Sequence, residues 1–330
     1  MPDGRGRSGL AAQLNDANTL GMAEIFLRTL PFFAIIGLGY WAGRSRFFTE
    51  DATAYLTKFV FYFALSAMLF RFAATLPFAE IFNGRLMVGY LLGTLVVYVL
   101  ATVVAWIRGL DIPTAAVEAQ CAAIGNVGFL GLPMLALLLS EAAIGPVMLV
   151  LTVDLVVFSS LIVVLMNAGR DGRLTPATLR LIGLGLLKNP MIISISAGLL
   201  WSALQVPVPA VLNDFLTILG GAATPGALFA IGASLASKSA ERIQVAAWLS
   251  FCKLIIHPAC VAVALLWLIP VDVFSASVAI AAAALPVAGN VYMLAAHYRV
   301  APHRASAAIL LSTVASILTV PVVIAWVGTL

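Results

Sequence analysis

Ten stretches of about twenty mostly apolar residues run through this chain, near 25–43, 55–76, 85–107, 115–139, 144–168, 188–206, 212–236, 243–269, 274–298 and 304–328. A helix of that length crosses the ~30 Å hydrocarbon core of a bilayer, where every backbone polar group must be bonded internally. The breaks between them carry turn formers or charge, as in Gly43-Arg44-Ser45-Arg46, Asp111-Ile112-Pro113, Pro207-Val208-Pro209, Pro270-Val271-Asp272 and Pro302-His303-Arg304. The expected fold is an all-α polytopic membrane protein. Composition closes the alternatives: 62% of the 330 residues are hydrophobic and 10% are charged. A soluble domain carries roughly 25% charged residues, and disorder needs low hydrophobicity with high charge.

The charges that remain orient the stack, because cytoplasmic loops retain Lys and Arg. Loops after the first, third, fifth, seventh and ninth spans hold 11 of the 18 basic residues, among them Arg44, Arg108, Arg173 and Arg304, against 5 on the other face and two inside spans. Both termini are therefore expected outside the cytoplasm, with the linker between spans five and six inside it. The net charge of +4 contains no basic run that would grip nucleic acid. Cys121, Cys252 and Cys260 lie in apolar stretches without metal-ligand spacing and read as small buried hydrophobes, so no metal and no cofactor are expected.

Shifting the chain by 159 residues lays Pro31 on Pro190 and Met134-Leu135-Ala136 on Met293-Leu294-Ala295, and with them span one on span six, four on nine and five on ten. Five spans per half is an odd number, so the halves are inverted. The expected organisation is an exposed tail over 1–24, a first five-helix repeat over 25–168, a cytoplasmic linker over 169–187 and a second, inverted repeat over 188–330. The tail lacks the apolar core of a secretory signal.

Span four contains Gly125-Asn126-Val127-Gly128-Phe129-Leu130-Gly131-Leu132-Pro133, and span nine contains Leu285-Pro286-Val287-Ala288-Gly289-Asn290-Val291-Tyr292. Proline removes a backbone donor and clashes with the preceding turn, so span four is expected to unwind just before Pro133. Irregular backbone at that depth is tolerated where protein encloses it or where it lines a watery cavity. Each second half-helix then starts near the midplane with free N–H groups and about half a positive charge. Asn126 and Asn290 add neutral amide donors. A small carboxylate suits such a place, with Asn126, Gly128, Gly131, Pro133, Pro286, Asn290 and Tyr292 as candidate substrate-binding residues. The plainer reading is that these are helix-packing positions, since Gly and Pro are common in membrane helices.

These two segments, with Ala295-Ala296-His297-Tyr298 and the Ser312-Thr313 to Pro321 stretch, resemble the auxin efflux carrier family, including its bacterial malate-permease-like members. The resemblance covers essentially the whole chain. It implies ten helices, a scaffold and a transport part with two crossing broken helices, and elevator-like alternating access for small organic anions such as mono- or dicarboxylates. Asn126 and Pro133 match the family's first crossing element, and Asn290 falls in the second. Plant members have proline where this chain has Val291 and a long central loop where it has about twenty residues, so auxin is not implied and a bacterial-type carrier is the nearer match.

Ionisable groups at mid-membrane cost about 2.5–3.5 kcal/mol on insertion scales and ask for a reason. Asp154 lies in span five, and Lys253 and His257 lie one turn apart in span eight before Pro258. Asp154 is a candidate proton carrier and Lys253 its counter-charge or an attractor for the anion; a static buried pair is the alternative. His257 reads either as a hydrogen-bonder at a helix kink or as a proton relay. The shift sets Asp154 opposite Thr313, the fourth ion-coupling candidate, in a polar strip with Ser312, Ser316 and Thr319. Glu118, Lys58 and Arg71 read as interfacial, snorkelling side chains.

A proton- or potential-driven secondary carrier is the function these features favour. Neither crossing segment contains an acid, which disfavours a sodium cage of hard oxygens. A cation/proton antiporter on a related inverted-repeat scaffold is the alternative; it would want carboxylates at the crossing, and Asp154 alone qualifies. Enzyme activity is not expected, for the chain has no His-Glu-x-x-His and no Gly-x-x-x-x-Gly-Lys. The expected partners are the organic anion and the lipid bilayer, with a homodimer admitted and nucleic acid excluded.

Overall fold

Residues 22–75, 83–171, 176–237 and 243–330 are described by the computed structural model, and almost all of them are helical. The expected tail falls outside them up to residue 21. The helices are α1 (Met22–Arg44), α2 (Glu50–Thr75), α3 (Gly84–Ile107), α4 (Ile112–Ala123), α5 (Val127–Leu139), α6 (Glu141–Gly169), α7 (Pro176–Lys188), α8 (Pro190–Ala203), α9 (Ala210–Ala236), α10 (Ile243–Leu268), α11 (Val273–Ala283), α12 (Gly289–Tyr298) and α13 (Pro302–Val327). Seven of them are long and apolar enough to cross a membrane, and the α7–α8 pair, bent by 70°, adds an eighth if counted as one span. The chain is an all-α polytopic membrane protein. Residues 176–187 of the expected linker lie in α7, which ends at Lys188.

Local chemistry sets the helix starts. Thr49 Oγ1 accepts from Ala52 N at 3.2 Å, Asn83 Oδ1 from Leu86 N at 3.1 Å and Asp272 Oδ1 from Ser275 N at 2.8 Å, each satisfying one orphan donor of a first turn. Asn189 caps α8 in the same way, and Pro190 occupies its first turn, where a missing N–H costs nothing.

The helices pack in two groups. In the first, α1 lies along α9 and α2 along α8; the second contains α3–α6 and α10–α13, with α4 against α3 and α6, α10 against α3 and α13, and α11 against α6 and α10. Without a hydrophobic drive between helices in lipid, small residues let backbones meet. A Cβ on Gly39 of α1 would strike the Phe229 carbonyl of α9, and one on Gly232 would strike the Ile36 carbonyl. Leu27, Leu38 and Trp41 of α1 and Val211, Phe215 and Ile218 of α9 turn large apolar surfaces outward, as a lipid-facing layer requires.

Candidate functional site

Two of the ten apolar stretches are interrupted, and the interruptions meet. α4 ends at Ala123 and the chain runs through extended Ile124 and Gly125 to Asn126; α11 ends at Ala283 and α12 begins after extended Ala288. Asn126 N donates to Pro286 O at 2.8 Å, and Ala288 N donates to Ile124 O at 3.1 Å, closing an antiparallel bridge between Gly125 and Val287. Backbone groups that would be orphaned in lipid thereby satisfy each other. Ser312 of α13 completes the junction: its Oγ accepts from Val287 N at 3.1 Å and donates to Ile309 O at 3.2 Å.

The first break lies seven residues before Pro133, not at it. Asn126 O accepts from both Leu130 N (3.1 Å) and Gly131 N (3.0 Å), the wide turn of a π-helical segment over Val127–Gly131. That wider turn absorbs the proline, which then sits in the first turn of the regular helix that follows. α4, α5, α11 and α12 all end at this junction, α5 and α12 by their N-termini.

Asn126 is 5% exposed, and its side chain makes no hydrogen bond among the described residues. Asn290, in the first turn of α12, has a buried Oδ1 without a partner among the described residues. Gly128 and Gly131 are buried on α5, where a Cβ would come 2.8 Å from Met191 Cε and 2.5 Å from Leu285 Cδ1 respectively. Pro286 lies inside the second break, and Tyr292 is half-buried on α12. Thr313 stands apart in one respect, because its Oγ1 donates at 2.7 Å to Ile309 O of its own helix. The neighbouring Ser312, expected only as part of a polar strip, is the residue that reaches the junction.

The mid-membrane charges gather beside this junction. Lys253 is fully buried, and its Nζ donates to Ala283 O, the last carbonyl of α11. It also lies 2.9 Å from His257 Nδ1, while His257 Nε2 lies 3.0 Å from Thr94 Oγ1 of α3. With Lys253 donating, Nδ1 is the acceptor and the Nε2 proton faces Thr94. An ammonium here opposes the negative end of the α11 dipole. A Cβ on Gly125 would come within 3.1 Å of Lys253 Nζ, so the residue in the break must be small for the lysine to reach its carbonyl. Tyr90 OH, one turn before Thr94, donates to Asp154 Oδ1 at 2.9 Å; Asp154 Oδ2 has no partner. Asp154 and Lys253 form no ion pair among the described residues. Tyr90 and Thr94 carried no signal as single residues, although the 159-residue shift sets Thr94 opposite Lys253.

Glu118 does not reach solvent as a snorkelling side chain would. It is 1% exposed and bonds Arg108 Nη1 at 2.7 Å, just past α3, as well as Arg304 of α13. Three spans are tied through one carboxylate, so Glu118→Gln leaves two guanidiniums short of their counter-charge. Loss of one partner of a buried pair costs about 3 kcal/mol, and a thermal melt of the detergent-solubilised variant should register that loss. Lys58 is exposed over the Tyr55 ring, as a snorkelling side chain would be.

A cavity of about 900 Å³ lies between the two helix groups, lined by Arg28 of α1, Arg71 of α2, Thr217 of α9, Leu132 and Pro133 of α5 and Glu141 of α6. At the start of α5 the groups touch instead: Phe129 stacks on Phe61 of α2 with centroids 6.4 Å apart, and Met191 of α8 covers Gly128.

Residues 24–324 match the family model described as "Membrane transport protein". A Rhizobium meliloti (strain 1021) protein named "Putative malonate transporter" is 31% identical over 302 residues, which is 91% of this chain and 94% of that protein. With almost all of its length matched and its apolar helices broken where the two matching segments meet, the chain belongs to this membrane transport protein family, of the auxin efflux carrier-like type, and is an integral membrane transporter rather than an enzyme.

Proposed function

We propose that the chain is a secondary carrier of small organic anions, of the mono- or dicarboxylate class that includes malonate, bound where the two broken helices meet. The observation that carries this reading is a pair of asparagines at that junction, Asn126 and Asn290, buried wholly or in part, whose side-chain amides make no hydrogen bond among the described residues. Their Nδ2 groups are donors, and a carboxylate between two helix N-termini can accept from them without a buried cation. The relative named for malonate supports the substrate class.

Ten spans in two inverted repeats remain the favoured topology, each broken helix pair counting as one span. Exchange of the halves maps the α1–α9 contact onto the α8–α2 contact, a symmetry that supports the repeat. α1, α2, α8 and α9 would form the scaffold, and the remaining helices an elevator-like transport part. Loop charges favour both termini outside, which would make the cavity outward-open, and the bacterial relative supports an inner-membrane location. Asp154, with its unpartnered Oδ2, is the favoured proton carrier and Lys253 the fixed charge beside it; the same unpartnered oxygen is what favours the second reading, a cation/proton antiporter. A homodimer is compatible with the exposed apolar faces of α1 and α9.

Uptake of labelled malonate and related carboxylates into proteoliposomes, with and without a pH gradient, separates the two readings. Saturable carboxylate flux that falls at least tenfold in Asn126→Ala is expected. Cation-dependent proton flux with no carboxylate movement would favour the antiporter.

A further inference from the structure

The cavity between the helix groups holds a cation that the crossing does not use. Arg71, half-buried in the last turns of α2, directs its Nε to Asn213 Oδ1 of α9 at 3.1 Å, and its guanidinium carbon lies 5.7 Å from the Phe72 ring centroid. Both partners are neutral. Among the described residues no carboxylate lies within ion-pair distance of Arg71, whereas Arg28, on the same cavity, is paired with Glu24 at 2.9 Å and Arg108 and Arg304 share Glu118. Glu141, the acid on the opposite wall, makes no ion pair with Arg71.

Guanidinium geometry decides what such an arrangement can bind. With Nε held by Asn213, the planar fork is fixed in orientation and its two terminal nitrogens are left for a ligand. A fork of this kind fits the two oxygens of a carboxylate, and the pair of hydrogen bonds is charge-assisted. Pro133, on the same cavity, is seven residues along α5 from Asn126, about 10 Å at 1.5 Å per residue. The cavity that holds Arg71 is thus walled by the same helix whose first residues form the crossing, with the Phe61–Phe129 contact between the two.

We infer that Arg71 is a specificity-determining residue, the capture point for one carboxylate of the incoming anion before it reaches the crossing; this rests on the organic-anion reading above. Such a group acts on encounter and affinity, so its loss raises KM and leaves the maximal rate in place, with a salt dependence that an apolar contact would lack.

The test is the uptake of labelled malonate into proteoliposomes by the full chain and by Arg71→Gln and Arg71→Lys, with thermal melts of each purified protein. Arg71→Gln should raise KM at least tenfold with a maximal rate within twofold of the parent and an unchanged melting temperature, and Arg71→Lys, which keeps the charge without the fork, should fall between. Should Arg71→Gln fail to fold, Asn213→Leu serves in its place: it keeps the arginine but unpins it, and a severalfold rise in KM is expected. An unchanged KM in Arg71→Gln, or a fall in maximal rate and melting temperature together, would overturn the capture role while leaving the carrier reading intact. If the parent carries no carboxylate, the carrier reading fails, and melts in malonate decide the site: stabilisation lost in Arg71→Gln supports it, and no stabilisation of the parent overturns it.

Discussion

Lys253→Met is expected to bring carboxylate uptake down at least a hundredfold in protein that still folds and inserts. Methionine keeps most of the lysine's volume but offers no proton. Ala283 O then loses its donor at the end of α11, and His257 Nδ1 loses the group that sets the ring's orientation towards Thr94. A buried acceptor left unmatched costs about 1–3 kcal/mol, but removal of the buried charge returns much of that, so the melting temperature should change little. The second break is another matter. Ala283 leads directly into the segment that pairs with Gly125 and Asn126, and about 2.8 kcal/mol of lost preorganisation there corresponds to a hundredfold in rate, at 1.4 kcal/mol per tenfold. Initial uptake rates at matched reconstituted protein provide the check. A variant that keeps more than half of the parental rate would remove Lys253 from the mechanism.

Gly125→Val should damage both stability and transport. Even a single added carbon would lie 3.1 Å from Lys253 Nζ, 3.2 Å from its Cε and 3.3 Å from Ala282 O. The γ-carbons of valine extend into the same space, and the lysine cannot retreat without giving up the Ala283 carbonyl. Overpacking in a closed interior costs about 1–3 kcal/mol, here at the point where the two breaks are hydrogen-bonded to each other. Gly37→Val is the matched control, because nothing lies within 4 Å of the place its Cβ would take. A lower melting temperature and lost uptake for Gly125→Val, beside near-parental behaviour of Gly37→Val, is the expected pattern. Equal behaviour of the two would mean that the junction tolerates side chains its packing excludes.

These sites were legible in the sequence to different degrees, for physical reasons. Apolar length is a property of a segment and is read directly, so the membrane-spanning character of the chain follows from composition and spacing. Breaks are harder, because proline marks trouble without marking where the helix yields. Pro133 pointed to span four, but the π-helical Val127–Gly131 segment moved the rupture back to Gly125 and Asn126. Asp154, Lys253 and His257 stood out because charge inside an apolar run is costly. Tyr90 and Thr94 did not, since a hydroxyl in a membrane helix usually returns to its own backbone, as Thr313 does. The pairing of Glu118 was not legible: distance from a span end along the chain does not reveal that Arg108 and Arg304 converge on it from elsewhere in the fold.

If an organic anion binds between Asn126 and Asn290, calorimetric titration of malonate into the purified protein and its Asn126→Ala and Asn290→Ala variants will register the loss of each amide. Neither side-chain amide has a bonding partner among the described residues, so both variants should melt within a few degrees of the parent. Hydrogen bonds to a charged ligand contribute about 1.5–3 kcal/mol each, so the dissociation constant should rise roughly tenfold or more in each variant. Malonate binding of parental strength in both would contradict the account.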